Sequence, residues 1–234
     1  MADPPVDPRS WNSEEELRMV LRKLAHEIRN PLACLQAGVQ VMQRLGGSGS
    51  DTGEQLAELL GHIARIDKVT QGIHQIARLA PGERSSVPVA EVMDRVFREF
   101  RFYAAQAGVE LVQGGGPGCA VWTEPTLLAT ALGELVSNAI KAAPADTAVR
   151  LWWERTTDGG VALHVDDEGP GVPPENTDRI MLPFFSTQPN GRGLGLTVAL
   201  RACRLAGASL AWHNRAEAGC RFSVLVPAGP EAGA

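Results

Sequence analysis

Two runs of apolar residues, spaced alternately by three and four positions, constrain the fold more than any other feature of this chain. Such spacing places apolar side chains along one face of a helix. The first run comprises Leu17, Leu21, Leu24, Ile28, Pro31, Leu35, Gly38, Met42 and Leu45, and the second comprises Leu56, Leu59, Ile63, Ile66, Thr70, Ile73, Ala77 and Ala80. A glycine- and serine-rich stretch, 46–53, separates them. Together they predict a helical hairpin over residues 13–80, after a proline-rich leader at 1–12.

A single hairpin of this composition covers each apolar seam on one side only. Two chains that pair as a four-helix bundle would bury both seams completely. We therefore expect a homodimer. The breaker Pro81-Gly82 ends the second helix, and residues 81–86 are expected to form a linker.

Beyond this linker the pattern changes to alternating strand and helix signals. Helices are expected near 89–107, 124–143 and 194–206, and strands near 109–113, 148–155, 161–166, 209–213 and 221–226. This order favours helices packed on one face of a mixed sheet, which is an α+β domain over residues 87–227. Residues 228–234 are expected to form a flexible tail.

Composition excludes several classes of function. The 234 residues carry a formal net charge of −5, which gives no electrostatic reason for direct binding to nucleic acid or to an anionic membrane. The 4 cysteines are widely scattered, without a C-x-x-C pair, and favour free thiols in a reducing compartment over a zinc or disulfide scaffold. No apolar stretch is long enough for a membrane helix. We therefore expect a cytoplasmic chain without a membrane segment.

The first candidate site is on the first predicted helix, at His26. This residue lies between the seam residues Leu24 and Ile28, and two positions correspond to about 200° of helical rotation, so its imidazole is expected to face solvent. Glu27 could hold the tautomer in which Nε2 is nucleophilic, and Asn30 lies one turn further on the same face. Because position 30 is Asn, the pattern is not the H-E-x-x-H of a metalloprotease. The alternative is an ordinary solvent-exposed histidine.

A second cluster contains Glu134, Asn138 and Lys141, at positions i, i+4 and i+7 of a predicted helix. These positions place an acid, an amide and an amine on one face. Such a set could hold Mg²⁺ and phosphate oxygens, because Mg²⁺ prefers oxygen ligands. The alternative is a solvated polar stripe.

Two glycine motifs complete the candidates. In the first, Asp167 follows a predicted strand and precedes Gly169 and Gly171, where its carboxylate could accept a hydrogen bond from an exocyclic amine such as that of adenine. The second motif opens a helix, whose backbone N–H groups could receive phosphate; its residues are Gly191, Gly193, Leu194 and Gly195. Neither motif has the G-K-[S/T] of a P-loop.

The order of these motifs resembles that of the sensor histidine kinases of bacterial two-component systems. His26-Glu-Ile-Arg-Asn-Pro-Leu32 is similar to their H box, and Asn138 with Lys141 is similar to the N box. The Asp167, Gly169 and Gly171 motif is similar to the G1 box, 183–187 to the F box, and 191–195 to the G2 box. The resemblance implies a dimerisation and phosphotransfer hairpin followed by an α/β-sandwich ATP-binding domain of the Bergerat type.

The resemblance also implies roles for these residues. Asp167 would read adenine, Asn138 would ligate Mg²⁺, Lys141 would lie near the phosphates, and His26 would receive the γ-phosphoryl group of ATP before its transfer to an aspartate of a response-regulator receiver domain. Glu27 would assist the kinase step. Asn30 would orient water for dephosphorylation of the regulator. Thr187, the G1 and G2 glycines and Leu194 would bind nucleotide. Glu134 departs from the family pattern, because many members have Asn at this place, and it is expected to be a further Mg²⁺ ligand or a base for water.

Two other classes of protein compete with this interpretation. One is a histidine phosphotransfer or scaffold protein with an inactive nucleotide domain, although every ATP-box position that we can name carries a competent residue. The other is a Bergerat-fold ATPase or an anti-sigma-type serine kinase, but those proteins lack an H-box hairpin. Because no sensor region precedes the hairpin in this sequence, its input is expected either from a sensor protein in trans or from a missing sensor region.

Overall fold

The computed structural model describes residues 28, 30–40, 56, 59–64, 66, 70, 76–116, 118–188 and 193–229. By their contacts the residues divide into two units, and each is considered separately. The first unit comprises Met1–Ala77 and Pro183–Arg192, and the second comprises Arg78–Leu182 and Gly193–Ala234.

In the first unit, described residues of both predicted seams are helical and face each other. Residues 30–40 and 59–64 are helical, Pro31 is buried, and Leu59 is 9% exposed. Gly38 lies directly against Leu59, because a Cβ at this glycine would be only 2.6 Å from Leu59 Cδ2. This close approach joins one seam to the other.

The described residues of the second unit form seven strands, three α-helices and one short 3₁₀ helix. In chain order the elements are β1 (Ser85–Pro88), α1 (Val89–Gln106), β2 (Glu110–Gln113), β3 (Ala120–Thr123), α2 (Pro125–Ala142), β4 (Ala148–Arg155), β5 (Val161–Asp166), the 3₁₀ helix (Pro174–Asn176), α3 (Gly195–Ala206), β6 (Ser209–Asn214) and β7 (Cys220–Val226).

Five of the strands form one mixed sheet in the order β2-β4-β5-β7-β6. The β2–β4 pair is parallel, and the other three pairs are antiparallel. The central strand β5 is buried along its whole length. At the C-terminal end of β5, Asp166 is paired in the sheet register with Arg150 of β4 and with Arg221 of β7. The end of β5 is therefore fixed from both sides.

The helices contact the sheet through its apolar face. Alternate residues of the central strands point to this face and are completely buried, among them Leu151, Leu163, Val165 and Val224. They meet fully buried side chains of the helices, including Met93, Leu128, Leu132 and Leu135. The α+β architecture expected from the sequence is thus confirmed, with strands 148–155 and 161–166 at the predicted positions.

Two short strands and the 3₁₀ helix were not predicted. β1 and β3 pair with each other as a separate antiparallel ribbon, in which Val87 lies opposite Val121. Each strand has only four residues, and neither Ser-Ser-Val-Pro nor Ala-Val-Trp-Thr shows a long alternating pattern. The ribbon forms through pairing between distant segments, which no local pattern reveals. β1 begins inside the segment 81–86 that was expected to be a linker.

Helix α2 begins at a strong N-terminal signal. Glu124 is the N-cap residue, and its carboxylate accepts hydrogen bonds from the backbone N–H groups of Thr126, at 3.1 Å, and Leu127. Pro125 follows as the first helical residue, where its missing N–H costs no hydrogen bond. This cap fixes the start of the helix that carries Glu134 and Asn138.

Replacement of Glu124 by alanine should lower the free energy of unfolding of the second unit by about 1 kcal/mol, because two backbone donors lose their acceptor. Urea denaturation followed by tryptophan fluorescence measures this loss, since Trp122, Trp152, Trp153 and Trp212 all lie in this unit. The matched control is Glu124→Gln, which keeps an acceptor oxygen and should lose less. Equal losses in the two variants would contradict the capping role.

Candidate functional site

The polar face predicted for residues 134–141 exists on α2. Glu134 and Asn138 are half-buried and Lys141 is exposed in the last turn of the helix. Their spacing of four and three residues aligns them along the helix axis. The apolar side chains on the other faces of α2, among them Leu128, Leu132 and Ile140, are buried.

The first residue of α3 lies against this face. A Cβ at Gly195 would be 3.0 Å from Glu134 Oε2 and 3.0 Å from Asn138 Nδ2. Any side chain here would displace one of these groups. The structure therefore brings Gly195 of the second glycine motif against Glu134 and Asn138 on the polar face of α2.

The N-terminus of α3 has the geometry of an anion site. Its N-cap residue, Leu194, is buried and makes no side-chain capping bond. Gly193 has a positive φ of 64°, which suits a glycine and turns the chain into the helix. The backbone N–H groups of the first helical turn and the positive end of the helix dipole are suited to an anion. Gly191, the first glycine of the motif, lies outside the described residues.

The loop after β5 presents Asp167. Its Oδ1 accepts hydrogen bonds from the backbone N–H of Gly169, at 2.9 Å, and of Cys220, at 3.2 Å. The other oxygen, Oδ2, takes part in neither bond. Asp167 is only 4% exposed. A carboxylate oxygen that takes part in neither of these bonds can accept one from an amine.

Burial raises the pKa of Asp167 above its ordinary value of 3.8. The backbone hydrogen bonds from Gly169 and Cys220, and the positive charge of Arg215, partly oppose this rise. Desolvation disfavours the ionised carboxylate, whereas donors to it favour the same form. Burial is the largest of these effects, so the net shift of the Asp167 pKa is upward.

The neighbouring Asp166 has a different environment. Burial raises its pKa, but hydrogen bonds from Arg221 and Trp152 outweigh this effect and hold the pKa below 3.8. Both carboxylate oxygens lie 2.7 Å from the Arg221 guanidinium, and Oδ2 also accepts a bond of 3.2 Å from Trp152 Nε1. Asp166 is therefore satisfied within the protein. Of the two aspartates, Asp167 is the one suited to a ligand.

The glycines of this loop permit two close approaches. A Cβ at Gly169 would be 2.7 Å from the carbonyl oxygen of Ala142, at the end of α2. Gly171 has a φ of 71°, and a Cβ there would be 3.0 Å from Asn214 Oδ1. The loop is thus packed between the C-terminal end of α2 and the end of β6.

The other predicted residues are not all described. His26 and Glu27 lie outside the described residues. Asn30 is helical and exposed in the first unit, and Thr187 is exposed in the 183–192 segment that contacts assign to the same unit. Within the second unit, the structure brings together Glu134, Asn138 and Gly195.

Sequence reasoning missed the hairpin between β6 and β7, which contacts the loop after β5. Asn214 and Arg215 bond to that loop, and the backbone of Cys220 bonds to Asp167 through both its N–H and its carbonyl oxygen. These residues are more than 40 positions from their partners. Only the antiparallel pairing of β5 with β7 brings them close, so a local motif could not reveal them.

Two further features bear on ligands. Within the part of the chain that the structure describes, no group of three or more His, Cys, Asp or Glu side chains could hold a metal ion. Among the described residues, no helix is long and apolar enough to cross a membrane.

Two family models match the chain. The His Kinase A (phospho-acceptor) domain matches residues 16–82, and the histidine kinase-, DNA gyrase B- and HSP90-like ATPase matches residues 123–230. The chain belongs to the sensor histidine kinases. It has their catalytic core, with a phospho-acceptor domain followed by an ATP-binding domain.

Individual kinases agree with this assignment. The sensor protein kinase PilS of Pseudomonas aeruginosa is 26% identical over 205 residues, which cover 86% of this chain and 39% of PilS. The sensory histidine kinase/phosphatase NtrB of Rhodobacter capsulatus is 32% identical over 193 residues, covering 75% of this chain and 52% of NtrB. The kinase core thus spans between about two fifths and half of the length of these relatives.

The fold is also found in a solved complex. The histidine kinase ThkA, crystallised with the response regulator protein TrrA, matches the kinase core with a TM-score of 0.66 and 21% sequence identity, covering 92% of this chain and 63% of that chain. At this identity the likeness establishes the fold only.

Proposed function

We propose that this chain is an ATP-dependent protein histidine kinase that phosphorylates itself on His26 and passes the phosphoryl group to an aspartate of a response-regulator receiver domain. The observation that carries the proposal is the meeting of Gly195 with Glu134 and Asn138 in a unit that also presents Asp167. These competent ATP-site residues weigh against an inactive nucleotide domain. The phospho-acceptor domain around His26 weighs against a Bergerat-fold ATPase and an anti-sigma-type serine kinase.

In the proposed nucleotide site each group has a distinct task. Oδ2 of Asp167 accepts the exocyclic amine of adenine, while Gly169 and Gly171 allow the loop to approach the ring. The first turn of α3, with Gly191, Gly193, Leu194 and Gly195, receives phosphate oxygens, and Lys141 supplies positive charge. Thr187 is proposed to contact the nucleotide from the segment between these two motifs.

Mg²⁺ fits the donor set offered by α2. Asn138 Oδ1 and the Glu134 carboxylate provide the oxygen ligands that this ion prefers, and its remaining ligands would be phosphate oxygens and water. When bound, the ion neutralises charge that develops on the transferring phosphoryl group. Gly195 keeps space beside both ligands, since its missing side chain would otherwise contact them.

The transfer itself is a displacement at phosphorus. Nε2 of His26 attacks the γ-phosphorus, a P–N bond forms, and the bond from the γ-phosphorus to the bridging oxygen breaks with ADP as the leaving group. Glu27 accepts the Nδ1 hydrogen bond and stabilises the positive charge on the imidazole. The phosphoryl group then moves to a receiver carboxylate, which regenerates the neutral histidine. NtrB is named a histidine kinase/phosphatase, which supports dephosphorylation of the regulator as a second activity of this chain. Asn30 is proposed to orient the attacking water in that hydrolysis.

The partners follow from the same assignment. The pairing of ThkA with a response regulator supports a receiver domain as the partner of this chain. The seam residues Leu56 and Ile63 are 51% and 52% exposed in the single chain, which supports their burial by a second copy in a four-helix bundle. Three expectations stay predictions. The input comes from a sensor protein in trans or from a missing sensor region. The two domains are limited to 13–80 and 87–227, and the chain is cytoplasmic.

Replacement of Asp167 by asparagine should weaken ATP binding by about ten- to a hundredfold, or roughly 1 to 3 kcal/mol. Asparagine keeps an oxygen for the N–H groups of Gly169 and Cys220, but it turns the Oδ2 acceptor into a donor that opposes the adenine amine. Titration calorimetry measures the affinity, and thermal unfolding verifies the fold. The same affinity in both proteins would refute the role of Asp167.

Replacement of His26 by glutamine should abolish incorporation of ³²P from γ-labelled ATP, because the amide cannot accept a phosphoryl group at Nε2. ATP affinity and the dimer should be retained. In the unmodified chain the label should be lost in acid and retained in base, since a phosphoramidate is acid-labile. Undiminished labelling of His26→Gln would place the acceptor elsewhere.

Substitutions made separately at Glu27 and at Asn30 should each impair a different activity, either autophosphorylation or dephosphorylation of the regulator. Glu27→Ala should slow autophosphorylation and leave dephosphorylation of the phosphorylated regulator within a few-fold of normal. Asn30→Ala should do the reverse, because an amide can orient water but is too weak a base to assist an imidazole. The measurements are label uptake and release of phosphate from the cognate regulator. Equal damage to both activities, together with a lower melting temperature, would indicate that Asn30 is only structural.

A further inference from the structure

The hairpin that joins β6 to β7, residues Asn214–Cys220, holds the loop after β5 through its side chains and backbone. We propose that Arg215 and Asn214 are positioning residues of the nucleotide site, which hold Asp167 and the chain at Val172 in the geometry that binds adenine. This inference rests on the proposed adenine-reading role of Asp167. Neither residue would contact the nucleotide itself.

Arg215 fixes the backbone of Asp167. Its Nη1 donates a hydrogen bond of 2.7 Å to the carbonyl oxygen of Asp167. The backbone of Arg215 also bonds to Gly219 at 3.0 Å, which closes the hairpin. Gly219 has a φ of 83°, and a Cβ there would overlap the same carbonyl oxygen. The hairpin thus encloses this oxygen between a cation and a glycine.

Asn214 fixes the chain five residues after Asp167. Its Oδ1 accepts a bond from the N–H of Val172 and its Nδ2 donates to the carbonyl oxygen of Val172, both at 2.8 Å. One amide side chain therefore satisfies both backbone groups of one residue, as a neighbouring strand would. The loop that contains Gly169 and Gly171 is therefore held at both ends, at Asp167 and at Val172.

The charge of Arg215 supports the same role. Burial is the main cause that raises the pKa of Asp167, and the negative charge of Asp166 raises it further, while Arg215 lowers it. The other titratable group packed against Asp167 is Cys220, whose own pKa is raised to about 12, so its thiol stays neutral. Arg215 is consequently the one side-chain cation among the causes that keep Asp167 ionised.

The alternative is that the hairpin only stabilises the fold. In that case, loss of Arg215 or Asn214 would lower the melting temperature and reduce ATP binding in proportion. If the two residues act through Asp167, their effect on binding should instead depend on the carboxylate. A double-mutant cycle distinguishes these cases, because only residues that act through each other give non-additive losses.

The test uses the full chain with ATP as the ligand in titration calorimetry. Arg215→Met and Asn214→Ala should each weaken binding by about fivefold or more, roughly 1 kcal/mol. The matched control is Arg84→Met, because Arg84 also donates to a backbone carbonyl oxygen, that of Leu205, at 3.5 Å. The two hairpin variants should melt within a few degrees of this control, which should bind ATP normally.

Arg215→Met should have little further effect in the Asp167→Asn background. In the chain that retains Asp167, Arg215→Met should raise the acid limit of ATP binding, which is the pH below which binding is lost. The reason is that loss of the cation raises the pKa of the Asp167 carboxyl, which must be ionised to accept the amine. Arg215→Lys should keep the acid limit near its normal pH, since the positive charge remains.

Three outcomes would overturn the inference: unchanged affinity in both hairpin variants, losses that add fully to that of Asp167→Asn, or an acid limit that does not move in Arg215→Met. If Asp167→Asn weakens binding and the hairpin variants do not, only the positioning role fails. If Asp167→Asn itself binds ATP normally, the adenine-reading role fails and the inference fails with it.

Discussion

The hydrogen bonds that hold Oδ1 of Asp167 connect the fold of the second unit to its chemistry. One donor, the N–H of Gly169, comes from the turn that follows β5, and the other, the N–H of Cys220, comes from the first residue of β7. Both can reach the same oxygen only when β5 and β7 are paired in their native register. A slip of one residue would point the carboxylate to the opposite face of the sheet. The register of β5 against β7 thus determines where the Asp167 carboxylate lies.

Their positions relative to the end of β5 explain why the two adjacent aspartates, Asp166 and Asp167, have different environments. Asp166 is the last residue of β5 and lies opposite Arg221, which neutralises it. Asp167 follows the strand, where backbone N–H groups donate to one of its oxygens. Their pKa values move in opposite directions for this reason, down for Asp166 and up for Asp167. Two adjacent acids therefore provide one ion pair with Arg221 and one buried carboxylate that is held by backbone donors.

The extent to which the sequence predicts the molecule depends on how local each signal is. The polar face of α2 is predictable because i and i+4 always share a helix face. Strands β4 and β5 are predictable from their own residues. The β1–β3 ribbon and the hairpin at Asn214 and Arg215 depend on partners far along the chain, so their roles become visible only when the strand pairing is known. The approach of Gly195 to Glu134 belongs to the same class, because it joins two helices.

The central claim is that Asp167 Oδ2 recognises adenine while the start of α3 receives phosphate. A crystal structure of the full chain with Mg²⁺ and a non-hydrolysable ATP analogue tests it most directly. The account predicts the exocyclic nitrogen of adenine at about 2.9 Å from Oδ2, with Oδ1 still bonded to the N–H groups of Gly169 and Cys220. It also predicts phosphate oxygens at the first turn of α3, beside Asn138. An adenine ring bound away from Asp167, or an Oδ2 that faces no ligand atom, would contradict the account.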